Sequence, residues 1–156
     1  MIFYYLDASA WVKNYYREPG TGWVRDLFAR DEDKALVCSS LGIVEVTATL
    51  ARKRKSREIS LVAFERGINE LEDDWMRIIE VQFTTEVVEM ARELAGKLAL
   101  RGADAVHLAS ALLLQGRFEE ESDRLILVTS DRELKQAAQE SGLVVIDPDE
   151  QETEIP

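Results

Sequence analysis

Histidine and cysteine are nearly absent from this chain of 156 residues, which has one of each, His107 and Cys38. A single histidine excludes HExxH zinc sites, Cys/His fingers and most other multi-histidine metal sites. A Ser-His-Asp triad would have to use His107, and no G-x-S-x-G turn accompanies it. A single cysteine forms no internal disulfide. Cys38 lies in an apolar stretch and reads as a small core residue in a reducing, cytoplasmic compartment. No apolar run approaches the roughly 18–20 residues that cross a bilayer, so no membrane partner is expected. Residues 1–7 carry no basic n-region and no small-residue cleavage site, and so do not read as a signal peptide. Any chemistry falls to carboxylates.

Those are plentiful: 30 acids against 19 Lys and Arg give a net charge of −11. This argues against broad, nonspecific nucleic-acid binding. The charge is unevenly spread. The last ten residues hold five acids and no base, and removing them leaves 25 acids against 19 bases, a net of −6. Residues 147–156 therefore read as an acidic, mobile tail behind one domain spanning 1–146. At the opposite extreme, residues 52–57 (RKRKSR) hold five cations in six positions.

Short β-branched or aromatic runs predict buried strands at 2–6, 35–38, 125–129 and 143–146, with 77–81 as a fifth. Helical patterns fill the intervals at 10–16, 22–30, 41–55, 61–74, 85–98, 103–114 and 131–140. Ser130 to Glu133 has the form of a capping box, Ser141-Gly142 suits a helix stop, and 116–123 reads as a polar loop. Strands alternating with helices imply an α/β fold with a mostly parallel sheet covered on both faces. Ligands bind such sheets at the carboxyl ends of the strands.

Four acids occupy unusual places. Asp7 follows the first strand directly, where a helix cap is its structural explanation. Glu45 is the only charged residue in the 17 from Ala35 to Ala51, on a helix face with Leu41, Ala48 and Thr49. A glutamate there is rarely buried unless paired or metal-bound; pairing with Arg52 is the structural explanation. Asp104 opens an apolar helix, where the macrodipole favours an anion. Asp131 follows the strand that ends in LILVTS. Four carboxylates converging on one sheet edge would repel one another. A hard divalent cation, Mg²⁺ or Mn²⁺, resolves that conflict, can generate hydroxide from bound water, and suits phosphodiester hydrolysis.

The segments YYLDASAWVKNYYREPG (4–20), SSLGIVEVTATLAR (39–52), LRGADAVHLASAL (100–112) and LVTSDRELKQAA (127–138) resemble the PIN-domain family, in its small VapC toxin form. They occur in the family's order, with no departure at an acidic position. The resemblance implies a three-layer α/β/α sandwich with a mainly parallel five-stranded sheet. It also implies a metal-dependent endoribonuclease site of Asp7, Glu45, Asp104 and Asp131. Asp7 and Asp104 would be the firmest metal ligands, Glu45 would sit close to the ion, and Ser9 and Thr129 would support the site. A homodimer and a small antitoxin partner are implied as well. His107 reads as a packed or hydrogen-bonded helix residue, because metal activation makes a histidine base unnecessary.

RNA needs positive charge to meet it, and Lys13, Arg52, Lys53, Arg54 and Lys55 are the candidates, with Arg17 and Arg101 flanking other motifs. Cations at a helix C-terminus also simply favour the dipole. Three alternatives follow from the same residues. A haloacid-dehalogenase-like phosphatase needs a second Asp two positions after the first, where Ser9 stands. A receiver domain needs a Lys after the last strand, where DPDE follows. The third is a catalytically inactive PIN scaffold that only binds a partner.

Overall fold

The run Ile2–Leu6 has no charged member, and the reason is that both of its faces are covered. Tyr4 and Leu6 join one buried cluster and Tyr5 another. A strand buried on both sides has no wet face to mark by alternation. In the computed structural model, which describes residues 1–151, this strand, β1, is the centre of the sheet. Beside it lie β2 (Lys34–Ser39), β3 (Ile79–Val81), β4 (Arg124–Val128) and β5 (Val144–Ile146). Their order is β3-β2-β1-β4-β5, and every pairing is parallel.

Parallel strands need crossovers, and eight α-helices lie among the described residues. Residues of α1 (Ala8–Trp11), α2 (Thr21–Ala29), α3 (Ser40–Lys55) and α4 (Leu61–Trp75) cluster with Tyr4, Leu6 and Cys38 on one face. On the other, α6 (Gly102–Gln115) and α7 (Arg132–Glu140) pack on Tyr5, Val37 and Leu127, and α5 (Thr85–Leu98) packs on α6. This is the three-layer α/β/α sandwich that the sequence implied. The chain winds outward from β1 through β2 to β3, then returns to the other side for β4 and β5. The reversal lies between β1 and β4, and the crevice outside their carboxyl ends is where such sheets bind ligands.

Several boundaries differ from the expectation. The first helix starts at Ala8, not Ala10, because the Asp7 carboxylate accepts from the Ala10 N–H (3.0 Å) and sets the cap there. It then tightens into a 3-10 turn, Val12–Asn14, which leaves Tyr15 donating to the buried Asp74 at 2.6 Å. The strand expected over 77–81 is shortened to Ile79–Val81, since Arg77 turns back to pair with Asp74 at 2.5 Å. At the start of α7 the cap is Asp131, accepting from the Leu134 N–H, whereas Ser130 donates to Asp147.

The expected acidic tail, 147–156, falls partly among the described residues. Pro148–Gln151 forms a short helix, α8, with Pro148 buried. Asp147 pairs with Lys135 (3.4 Å) and Asp149 with the buried Lys13 (2.9 Å). Pro148 lies so close to Gly20 that a Cβ there would meet its own Cβ at 2.7 Å, and Gly20 holds a left-handed φ of 90°. Residues 152–156 of the expected tail lie outside the described residues.

Gly42 sets how closely α3 approaches β2. A Cβ at this position would stand 2.1 Å from the Cys38 Sγ, both being buried. Gly42→Ala is expected to lower stability by about 1–3 kcal/mol through overpacking, outweighing the ~1 kcal/mol that Ala gains in a helix. Adding Cys38→Ala should recover most of that loss, as read from urea midpoints of the single and double variants.

A carboxylate cleft as candidate active site

Each acid singled out in the sequence lines one cleft of about 560 Å³ at the carboxyl edge of the sheet. Asp7 continues β1, and its N–H still donates to Val128 O of β4 (3.2 Å). Asp131 stands just past the end of β4. Asp104 lies in the first turn of α6, and Glu45 in the second turn of α3. The cleft thus sits on the reversal between β1 and β4.

Asp7 is 3% exposed and closely held. Thr129 Oγ1 donates to its Oδ2 at 2.7 Å, and Ser9 Oγ donates to the carboxylate, 2.8 and 2.9 Å from its two oxygens. Those hydroxyls are themselves fixed by N–H donors, Ser130 to Ser9 and Asp131 to Thr129, both at 3.0 Å. Burial pushes the Asp7 carboxyl above its ordinary value, against the His107 charge and the hydrogen bonds from Thr129, Ser9 and Ala10. Asp104 is raised to about 6, first by burial and then by the facing charges of Asp131 and Asp7; Arg101 and His107 pull the other way. Arg101 reaches both rim acids, 3.8 Å from Asp104 and 3.5 Å from Asp131, but is 73% exposed and so screens them only weakly.

Glu45 pairs with His107, not with Arg52: its Oε1 lies 2.5 Å from Nε2. The other ring nitrogen, Nδ1, lies 2.8 Å from the Tyr5 hydroxyl. Burial holds the Tyr5 phenol well above its ordinary pKa, so it keeps its proton. A carboxylate at Nε2 requires an N–H there, so His107 donates to Glu45 whatever its charge. His107 is the hydrogen-bonded helix residue that the sequence suggested. Tyr5 was missed, although a polar hydroxyl in a fully buried strand always needs a partner, and that was a signal.

The cations divide. Lys13 lines the cleft, but its ammonium is buried between Glu18 (3.1 Å) and Asp149 (2.9 Å). Arg52 and Lys53 also line it; Arg52 donates to Thr49 Oγ1, and Lys53 lies 3.8 Å over the Tyr16 ring. Arg54 stacks on Phe64, and Lys55 is exposed beyond the cleft. Among the described residues no three His, Cys, Asp or Glu side chains are gathered into a ready metal-ligand group. No helix among them is long and apolar enough to cross a membrane.

An open parallel sheet with a carboxylate cleft at its reversal is a defined class of site, and comparison with known proteins gives it a family. The PIN-domain model matches residues 4–140, and the chain belongs to the PIN-domain family. Within that family it is 34% identical over 142 residues to the ribonucleases VapC45 and VapC49 of two Mycobacterium tuberculosis strains, covering 91% of this chain and 93% of each relative. Among solved structures, VapBC2 from Rickettsia felis bound to a promoter DNA fragment superposes with a TM-score of 0.65. It is 17% identical and covers 94% of this chain and 98% of that one.

The raised Asp104 pKa has a consequence for stability. Its folded value is about 6 against an ordinary 3.8, so between those values the folded state holds a proton that the unfolded chain has released. In chelator, stability should therefore fall as pH rises through this window and stay lower above it. Asp104→Asn is expected to raise the urea midpoint relative to wild type at about pH 7 but not at about pH 4. Paired denaturation curves at the two pH values check this.

Proposed function

We propose that this protein is an endoribonuclease that hydrolyses RNA phosphodiester bonds with a divalent cation, Mg²⁺ or Mn²⁺, at the carboxylate cleft. The observation that carries the reading is the gathering of Asp7, Glu45, Asp104 and Asp131 on one cleft, where burial first and then the charges of Asp131 and Asp7 raise Asp104 to about 6. Like charges held this way want a cation between them. Oxygen donors select a hard ion, one that usually keeps several waters in its shell. PIN-domain enzymes are in general divalent-metal dependent, and the kinship with ribonucleases VapC45 and VapC49 supports RNA as the substrate.

Asp7 and Asp104 would hold the ion, with Glu45 bound directly or through water and Asp131 the outermost member. The bound cation would supply an activated water and offset charge on the phosphoryl oxygens. Asp7 cannot swing away, because Ser9 and Thr129 grip its carboxylate and leave it one orientation. Asp131 is held by its cap, with Oδ2 turned toward Arg101. Arg101, Arg52 and Lys53 line the cleft and would meet the negative charge of an entering phosphodiester, with Arg54 and Lys55 extending the positive charge along α3. Lys13 contributes little while Glu18 and Asp149 neutralise it. VapC kinship supports a small antitoxin as partner, a homodimer as the assembly, a toxin's role in that pair, and the cytoplasm as the place of action.

Incubating the purified protein with a structured RNA pool and Mn²⁺ or Mg²⁺ tests the reading. Cleavage should require the ion and stop in chelator. Asp7→Asn and Asp104→Asn should each lower the rate by more than about 100-fold, because partners that merely stand behind metal ligands already cost 10–100-fold. Cleavage that persists in chelator, or that proceeds in both variants at the wild-type rate, rejects the assignment. Absence of both cleavage and Mn²⁺ binding favours an inactive scaffold.

A further inference from the structure

Glu45 is the cleft carboxylate that its own backbone position does least to orient. Asp7 and Asp131 are fixed by capping, accepting from the N–H groups of Ala10 and Leu134. Asp104 is a short side chain in a first helical turn. Glu45 reaches the cleft on three rotatable bonds, and a glutamate on a helix edge would otherwise extend into water. Among the described residues its carboxylate has one hydrogen-bond partner, His107 Nε2 at 2.5 Å.

That partner is unusually well fixed. His107 is 1% exposed, and its ring could occupy its slot in two orientations related by a half-turn about Cβ–Cγ. The Tyr5 hydroxyl, 2.8 Å from Nδ1 and itself fully buried, selects one. The chain of contacts runs from the central strand through α6 to α3, joining both helical layers across the edge of the sheet. Both ring nitrogens are committed, which leaves none to take a proton from a water in the cleft.

We propose that His107, oriented by Tyr5, is a positioning residue that fixes the Glu45 carboxylate so that its free oxygen meets the cation in one orientation. The inference rests on the metal-site reading above and deepens it. Hydrogen bonds behind a ligating carboxylate tune affinity because they remove the ligand's alternative orientations before the ion arrives.

Mn²⁺ affinity of the intact protein, measured by calorimetry on samples whose folding is checked by circular dichroism, decides the matter without reference to RNA. His107→Asn shortens the reach to Glu45 and should weaken Mn²⁺ about 10–100-fold. His107→Gln, whose amide nitrogen can take the place of Nε2, should recover most of that loss. Tyr5→Phe frees the ring and should fall between. If His107 acts through Glu45, the double variant His107→Asn/Glu45→Ala should bind Mn²⁺ no more weakly than Glu45→Ala alone. Wild-type affinity in His107→Asn, or losses that multiply in the double variant, would overturn the proposal. If Glu45→Ala weakens binding while His107→Asn does not, this inference alone falls. If Asp7→Asn and Glu45→Ala both bind like wild type, the metal-site reading falls with it. Should His107→Asn fail to fold, Tyr5→Phe decides in its place, and unchanged affinity there overturns the idea.

Discussion

The carboxylate of Asp7, buried at the end of the central strand, is the constraint to which its neighbours are fitted. An ionised carboxyl withdrawn from water costs several kcal/mol unless it is hydrogen-bonded. Two hydroxyls and a helix N–H meet that need, and each hydroxyl is aimed by a further backbone N–H. The consequence is a rigid junction of β1, α1 and the segment after β4. Polar satisfaction and parallel pairing specify the same geometry, because the Asp7 N–H extends the ladder to Val128 while its side chain starts α1.

This junction explains why the ordinary and the functional readings of the acids are not rivals here. Asp7 and Asp131 are caps, and Asp104 is a first-turn acid. In a parallel α/β sheet the carboxyl ends of the strands and the N-termini of the following helices share one edge. An acid placed to satisfy helix N–H groups is therefore automatically placed on the ligand-binding side. What separates this cluster from ordinary capping is that the acids also line one cleft, where the charges of Asp131 and Asp7 add to burial in raising Asp104. A set of isolated caps would lie apart and leave each other's charge unaffected.

The same coincidence accounts for how much could be read from residues alone. The central strands were legible because burial on both faces leaves a continuous apolar run, and the long helices because their caps and periodicity agree. The edge strand β3 was less so, since it is three residues long, with Ile79 exposed and only Val81 partly buried. The 3-10 turn after α1 and the short α8 depend on distant partners, Asp74 for the first and Gly20 and Lys13 for the second, and no local pattern announces them. The four acids that line the cleft were each singled out by their settings in the sequence. The Glu45 partner was not, because the His107 ring comes from a helix 62 residues away and from the other layer. Only the fold brings them together.

Under the proposed function, charge arrangement bears on the order in which ion and RNA enter. The chain carries −11 overall, and its cleft gathers carboxylates at the point where a phosphodiester would have to sit. A polyanion approaching that edge meets repulsion, opposed only by Arg101 and by the basic end of α3 at the rim. One further cation, Lys13, is withdrawn from RNA by Glu18 and Asp149. Under the proposed function the divalent ion therefore does more than assist a chemical step. It offsets part of the negative charge at the floor of the cleft and would offer a phosphoryl oxygen a local positive centre, so that the same carboxylates that repel RNA in the ion's absence hold the charge that receives it. Precise placement of those carboxylates, including the one that has to be steadied from the far layer of the sheet, thereby governs substrate entry as well as reaction.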